Sequence, residues 1–326
     1  MTTPLTQDAL MARVDSGNPV RNVSLTRGDY RGIALRNVRF ENVQAQGARF
    51  DAAQLENIRW QRCALDGVVF EGASLTDVQF TNCRGDGMKF DGAKLMRLSV
   101  QTSSWPRVSF VRASICRLQV LAGSLVNVNW QGAQIERVML RKTDLSAQTG
   151  VDTLFDRFLA FDCVATATDF RGAQFTHCSF ARSDLQESCF DKASGRALAL
   201  AGCNLDRSSF AGARLEHPMF NRANLGAASF RGAELPRARF TAAHGKAVDF
   251  CDADLSRADF SHANIEVADF AGARMQQVCL HGARFGEARW DGADLSGARG
   301  DDPKQLICER WSPPPRPRQP LPGETR

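Results

Sequence analysis

The chain has 326 residues, 43% hydrophobic and 24% charged, with a net charge of +5. That length and apolar content allow a large core, and the mild positive balance is not the profile of a dedicated nucleic-acid binder. A run of roughly 20 apolar residues, enough to cross a membrane, occurs nowhere, and Met1–Asp15 lacks the basic start and apolar stretch of a signal peptide. A soluble cytoplasmic protein is expected.

Residues 5–15 read as a short amphipathic helix, with Leu10, Met11 and Val14 on one side and Thr6 as its cap. Residues 1–20 are thus expected to cover the open first coil of a repeat stack, because the end of such a stack must be shielded.

From residue 21 a different pattern begins. Every fifth residue is large and apolar: Leu25, Tyr30, Leu35, Phe40, then Phe50, Leu55, Trp60, Leu65, Phe70, Leu75 and Phe80. A small or apolar residue stands two positions earlier, as at Ala48, Ala53 and Ala73. A period of five fits neither a helix at 3.6 nor a flat strand at 2. It fits a coil with regular corners, that is, a solenoid. From 21 to 145 Val, Ile or Cys often replaces the preceding Ala. Between 146 and 168, Gly150, Ala160 and Ala165 fall on the beat, and a distorted coil is expected there. From 169 to 299 the units are nearly ideal, as in Ala253-Asp254-Leu255 and Ala258-Asp259-Phe260.

Positions 20 apart define the coil. Tyr30, Phe50, Phe70, Phe90, Phe110 and Trp130 form an aromatic column, interrupted at Gly150 and resumed from Phe170 to Trp290. Leu35, Leu55, Leu75, Leu95, Ile115 and Ile135 form an aliphatic one. A coil of ten residues could not enclose such side chains, so 20 is preferred. No beat position, and none two before it, is Asp, Glu, Lys or Arg between residues 23 and 298. A buried unpaired charge costs several kcal/mol, which explains the exclusion. The single Tyr against 21 Phe fits a column with no partner for a hydroxyl.

Ala223-Asn224-Leu225, Ala263-Asn264-Ile265, Ala268-Asp269-Phe270 and Ala293-Asp294-Leu295 resemble the units of the pentapeptide-repeat family. The resemblance covers residues 21–299, about 55 repeats. It implies an all-β, right-handed quadrilateral β-helix, here with short terminal capping helices. At a strand spacing of about 4.8 Å, about 14 coils would make a rod of roughly 65 Å.

Cys63, Cys83, Cys163, Cys178 and Cys203 occupy the small inward position and read as core fillers. Cys63 and Cys83 would stack in adjacent coils, yet the other cysteines show no disulfide framework. The five histidines, His177, His217, His244, His262 and His281, fall at outward positions. His262 and His281 lie on neighbouring coils with Asp259 and Cys279 nearby, a conceivable metal set that is read instead as solvent-facing side chains. Nothing in the pattern points to catalysis: no phosphate loop and no nucleophile elbow is present, and no cofactor or metal is expected.

The candidate partner-binding residues lie outside the beat. Arg97, Arg117, Arg137 and Arg157, spaced by 20, should stack in one column. Either an anionic partner explains them, or they form a solvated ladder balanced by Asp77, Glu136 and Asp156. On the adjacent wall stand Leu121, Met139, Leu159 and Phe161, with Arg141 between Leu121 and Phe161. Exposed apolar groups beside arginines are the profile of a protein-binding patch, unless a distorted coil turns Phe161 inward.

Residues 300–311 read as a second helix, with Asp302 as N-cap, Pro303 at its first position and Leu306, Ile307 and Trp311 on one face. It would cap the last coil or pair two copies as a homodimer. Residues 312–326 form a basic proline-rich tail, PPPRPRQPLP, read as a solubilising extension or a docking peptide.

A non-enzymatic scaffold or adaptor for a protein partner is therefore expected. The family resemblance also implies an alternative, a DNA mimic acting on gyrase, but such mimics are acidic and this chain is not. A binder of anionic polymer or lipid through the Arg column is a third reading. The opening Ala9-Leu10-Met11-Ala12-Arg13-Val14 resembles pentapeptide-repeat proteins encoded with bacterial type VI secretion components, which implies an accessory or effector-loading role.

Overall fold

The computed structural model describes residues 4–310. Its ladders are all parallel and join residues 20 apart, from Val20 with Phe40 to Cys279 with Arg299. Leu35 pairs with Leu55 and Leu55 with Leu75, so each expected column is a real stack.

The corners explain the period of five. Every fifth position from Asn22 to Gly297 has a left-handed backbone, with φ from 45° at Thr102 to 64° at Arg117 where the residue is not glycine. Such a conformation costs an L-residue roughly 1 kcal/mol. It is offset because the ladder continues around the bend: the corner amides of Asn37, Asn57 and Asp77 donate to Glu56, Thr76 and Met96 of the next coil at 2.9–3.0 Å. Four such corners per 20 residues give a four-walled β-helix.

The beat residues point inward and are buried along almost the whole rod. The aromatic column stacks at ring separations of 5.0 Å for Tyr30–Phe50, 5.1 Å for Phe90–Phe110, 4.7 Å for Phe190–Phe210 and 4.4 Å for Phe270–Trp290.

The stretch 146–168 is not the distorted coil that its sequence suggests. Leu154–Phe161 is a regular strand, in register with Gln134–Arg141 before it and Gln174–Thr176 after it. The reason is compensation of volume. Where Ala160 leaves the beat position small, Phe158 supplies bulk from two positions earlier and packs edge-on against Phe155 at 5.1 Å. At Gly150 a side chain would stand 2.8 Å from the Phe170 ring and 3.2 Å from that of Phe155, so the glycine makes room for its neighbours. Gln148, buried, accepts from Trp130 Nε1 at 2.6 Å and donates to the Leu125 carbonyl at 3.2 Å.

Both ends carry a helix. Helix α1 (Gln7–Asp15) is capped by Thr6, whose hydroxyl accepts from the Ala9 amide at 3.3 Å. Leu10 is fully buried against the first coil, with Met11 and Val14 packed beside it. The one tyrosine finds its partner here: the Tyr30 hydroxyl donates to the Leu5 carbonyl at 2.6 Å. Gly28 makes space for that ring, since a Cβ there would lie 2.5 Å from it. Helix α2 (Pro303–Arg310) starts at Asp302, whose carboxylate accepts from the amides of Lys304 and Gln305 at 2.9 and 3.3 Å. Leu306 is half-buried. The side chain of Ile307, Trp311 and the tail 312–326 lie outside the described residues.

Candidate interaction surface and the C-terminal cluster

On most of the rod the strands are three residues long, with a break at each corner. Four strands instead run for eight residues straight through a corner: Lys94–Gln101, Ser114–Leu121, Gln134–Arg141 and Leu154–Phe161. The corner residues at which they fuse are Arg97, Arg117, Arg137 and Arg157, with φ of 53–64°. The equivalent residues of the preceding coils are Asn37, Asn57 and Asp77, types that tolerate this backbone better.

The Arg column therefore runs along a corner rather than the middle of a wall, and it is largely neutralised. Arg97 forms a two-pronged pair with Asp77 at 2.5 and 2.6 Å. Its guanidinium holds the Asp77 carboxyl below the ordinary range, with desolvation opposing. Arg137 lies 3.3 Å from Glu136, and Arg157 2.6 Å from Asp156. Among the described residues, Arg117 has no ion-pair partner. The balanced ladder is thus the arrangement present, and a bare cationic stripe is not.

The apolar edge is where the spacing places it. Leu121, Arg141 and Phe161 are directly opposite one another in the ladder, as are Met139 and Leu159. Leu121 and Met139 are exposed, at 50% and 47%. Phe161 is half-buried on the outer face and is not turned into the core. Met96 and Leu154, on the other side of the Arg corner, are also exposed. Outward leucines and methionines off the beat were the signal for these two, and the Arg-centred reading passes over them.

The cysteines are held like serines. The thiols of Cys63, Cys83, Cys178 and Cys203 each donate to the carbonyl of the residue 23 earlier: Phe40, Trp60, Phe155 and Phe180. Thr153 and Ser188 make the same bond, to Trp130 and Ala165. Burial pushes the Cys178 thiol up to about 11 and that of Cys203 to about 12. Cys63 is also raised, first by its thiol neighbour Cys83 and then by burial. Both Cys63 and Cys83 are free thiols.

One histidine departs from the outward reading. His281 is 4% exposed, because α2 and the segment before it lie over it. Its Nδ1 accepts from the Asp302 amide at 3.1 Å and its Nε2 faces Glu309 Oε2 at 3.4 Å. His262, at the corner one coil earlier, faces Glu309 Oε1 at 3.4 Å. Asp259 is not part of this group; it accepts from Ser261 and Thr241. Cys279 instead contacts the Ser261 hydroxyl. Glu309 stands outside the 20-residue phase, so no spacing rule connects it to the two histidines.

The pentapeptide repeat region family matches residues 21–90 and 173–244, and the pentapeptide repeats (8 copies) family matches 246–282. Together they cover more than half of the sequence, and the chain belongs to the pentapeptide-repeat family. Among solved structures, it is similar to full-length QnrB1, a plasmid-mediated fluoroquinolone resistance protein, with 15% identity over 71% of this chain and 98% of that one, at a TM-score of 0.29. It is also similar to HetL, a pentapeptide repeat protein involved in heterocyst differentiation regulation from the cyanobacterium Nostoc sp.. That match has 18% identity over 90% of this chain and 96% of the other, at a TM-score of 0.20. The A-module of Azotobacter vinelandii mannuronan C-5 epimerase AlgE4 matches at 10% identity over 92% and 96% of the chains, with a TM-score of 0.34. No curated protein matches the sequence.

Proposed function

We propose that the chain is a non-enzymatic scaffold that binds a protein partner over residues 94–161. Arg97, Arg117, Arg137 and Arg157 form the corner of the contact, with Leu121, Met139 and Phe161 along one edge and Met96 and Leu154 along the other. The observation that carries this reading is where exposed apolar groups gather. Of the seven large ones exposed among the described residues, Met96, Leu121, Met139 and Leu154 fall within this stretch of the rod, and Val164 lies just beyond it. Scattered exposed hydrophobes are normal, but a set gathered over four successive coils beside arginines suits an interface. Three of the four arginines already have carboxylate partners, which favours a partner with an apolar contact surface over a generic polyanion.

In its finer form the scaffold serves as an accessory or effector-loading factor of a type VI secretion system. The resemblance of the segment Ala9–Val14 supports that form.

Partner capture from a lysate of the source organism tests the surface. Leu121→Glu with Met139→Glu should abolish capture, and Arg117→Glu with Arg137→Glu should weaken it strongly, both with an unchanged β-helix circular-dichroism spectrum. Salt should weaken capture only in part, since the apolar contacts are not screened. Full capture by the apolar pair of variants removes this wall as the docking surface. Loss of binding to every polyanion alike in moderate salt would favour the anionic-polymer reading instead. Co-purification with a secretion spike component would test the finer form.

A further inference from the structure

The cluster at the C-terminal end joins groups from three separate places. His262 comes from a left-handed corner, His281 from the next coil, and Glu309 from the end of α2. Their ligand atoms all lie within 4.8 Å of one another. The imidazole rings meet edge to face at 5.2 Å.

The surroundings are built to hold this arrangement. Gly282 is the corner beneath His262, and a Cβ there would stand 2.5 Å from His262 Nδ1. The Gly282 amide donates to Asp301 at 2.7 Å, which anchors the segment leading into α2. His281 is buried, and before any ion is bound its Nδ1 accepts from the Asp302 amide.

We propose that His262, His281 and Glu309 bind a borderline divalent transition cation, of which Zn²⁺ is the type, and that the ion fastens α2 to the end of the solenoid. Two imidazole nitrogens and one carboxylate suit this class, whereas Ca²⁺ and Mg²⁺ prefer all-oxygen sets. Each imidazole Nε2 stands 3.4 Å from a different oxygen of Glu309, close to the about 3.3 Å between ligand atoms held about 2.0–2.1 Å from a tetrahedral ion, and the ligand atoms, all within 4.8 Å, need only a small closure around the ion. Three protein ligands leave a fourth position for water, beside Arg284, Asp301 and Leu306.

The protons balance in a way that can be seen. A neutral His281 that accepts from Asp302 at Nδ1 carries its ring proton on Nε2. Ligation through Nε2 shifts that proton to Nδ1, and the Asp302 amide loses its acceptor. Metal loading therefore gives up two hydrogen bonds of His281, the one from the Asp302 amide and the one to Glu309, for coordinate bonds from both side chains, and the Asp302 amide resonance should move.

The test uses the full chain stripped with chelator and titrated with Co²⁺, then with competing Zn²⁺. The expected result is one saturable equivalent with visible d–d bands but no near-ultraviolet thiolate charge-transfer band, and a rise in melting temperature on Zn²⁺ binding. His262→Ala and Glu309→Gln should each weaken binding at least tenfold; both side chains lie outside the core, so the fold should survive. Absence of saturable binding overturns the proposal. So does undiminished affinity in either variant, or a thiolate band that assigns the ion to cysteines.

Discussion

Phe230 and Arg231 are adjacent in sequence but differ in surroundings. Phe230 is completely buried between Phe210 and Phe250, at ring separations of 5.0 Å on both sides, while Arg231 points outward to Asp249 at 3.0 Å. Phe230→Asp should cost more than about 4 kcal/mol, because it removes a stacked ring and buries a charge. Arg231→Asp should cost about 1 kcal/mol or less, since it only sets an exposed carboxylate beside the half-buried Asp249. Comparable losses in melting temperature for the two would contradict the inward and outward assignment. The left-handed corners offer a gain instead. Ala227 has φ of 49°, where glycine is free of the steric penalty, so Ala227→Gly should stabilise by about 0.5–1 kcal/mol, read as a higher melting temperature. Buried thiols supply a third test at this scale. With thiols raised to about 11 and about 12, Cys178 and Cys203 should resist alkylation at about pH 8 until the chain unfolds. Half-exposed Cys116 and Cys279 should react first.

At the scale of elements, α1 seals the first coil and Tyr30 is the fastening. Tyr30→Phe keeps the stack on Phe50 and removes only the bond to the Leu5 carbonyl. It should cost about 1 kcal/mol and speed amide exchange over Leu5–Asp15 while leaving the distant coils unaffected, because each coil of a solenoid answers chiefly to its neighbours. Uniform acceleration along the rod would contradict this. The rule that a hydroxyl is absent from the column for want of a partner explains the phenylalanines, and the exception occurs where the cap supplies one. Indoles obey the rule less strictly: Trp130 bonds Gln148, whereas Trp60 and Trp105 bury their Nε1 without a partner. The interaction surface was half legible. Spacing by 20 suffices to stack the arginines and to set Leu121 in line with Phe161. It says nothing of which carboxylate each guanidinium chooses, because that depends on rotamers at the corner rather than on register. The burial of His281 by α2 was not legible for a related reason: a cap lies outside the repeat, so its contacts obey no period.

At the scale of the whole molecule, the period carried nearly everything. One rule, a left-handed corner at every fifth residue, sets the four walls, the 20-residue ladder and the inward columns, and it holds without interruption from Asn22 to Gly297. Inside the stack, the compensation around Gly150 escaped a residue-by-residue reading, since it depends on Phe155, Phe158 and Gln148 filling one volume together. The same rule makes the two ends unlike. The start is closed by α1, whereas the final coil leaves Leu295 exposed and Phe285 and Trp290 only half-buried, even with α2 in place. Among the described residues the terminal coil also presents ladder groups with no next coil to bond, the kind of edge onto which another chain adds. A two-fold pairing of two rods through this end would bury both features, and two-fold dimers are the commonest assembly. Light scattering on the full chain should then give twice the 35.8 kDa mass at high concentration. Leu295→Arg should return it to the monomer with little change in the melting temperature of the rod, because Leu295 ends its column and is already exposed. A full chain that stays monomeric at high concentration removes the pairing. A dimer that survives Leu295→Arg places the contact elsewhere, and the exposed wall over residues 94–161 would then have to be tested as the site of self-association.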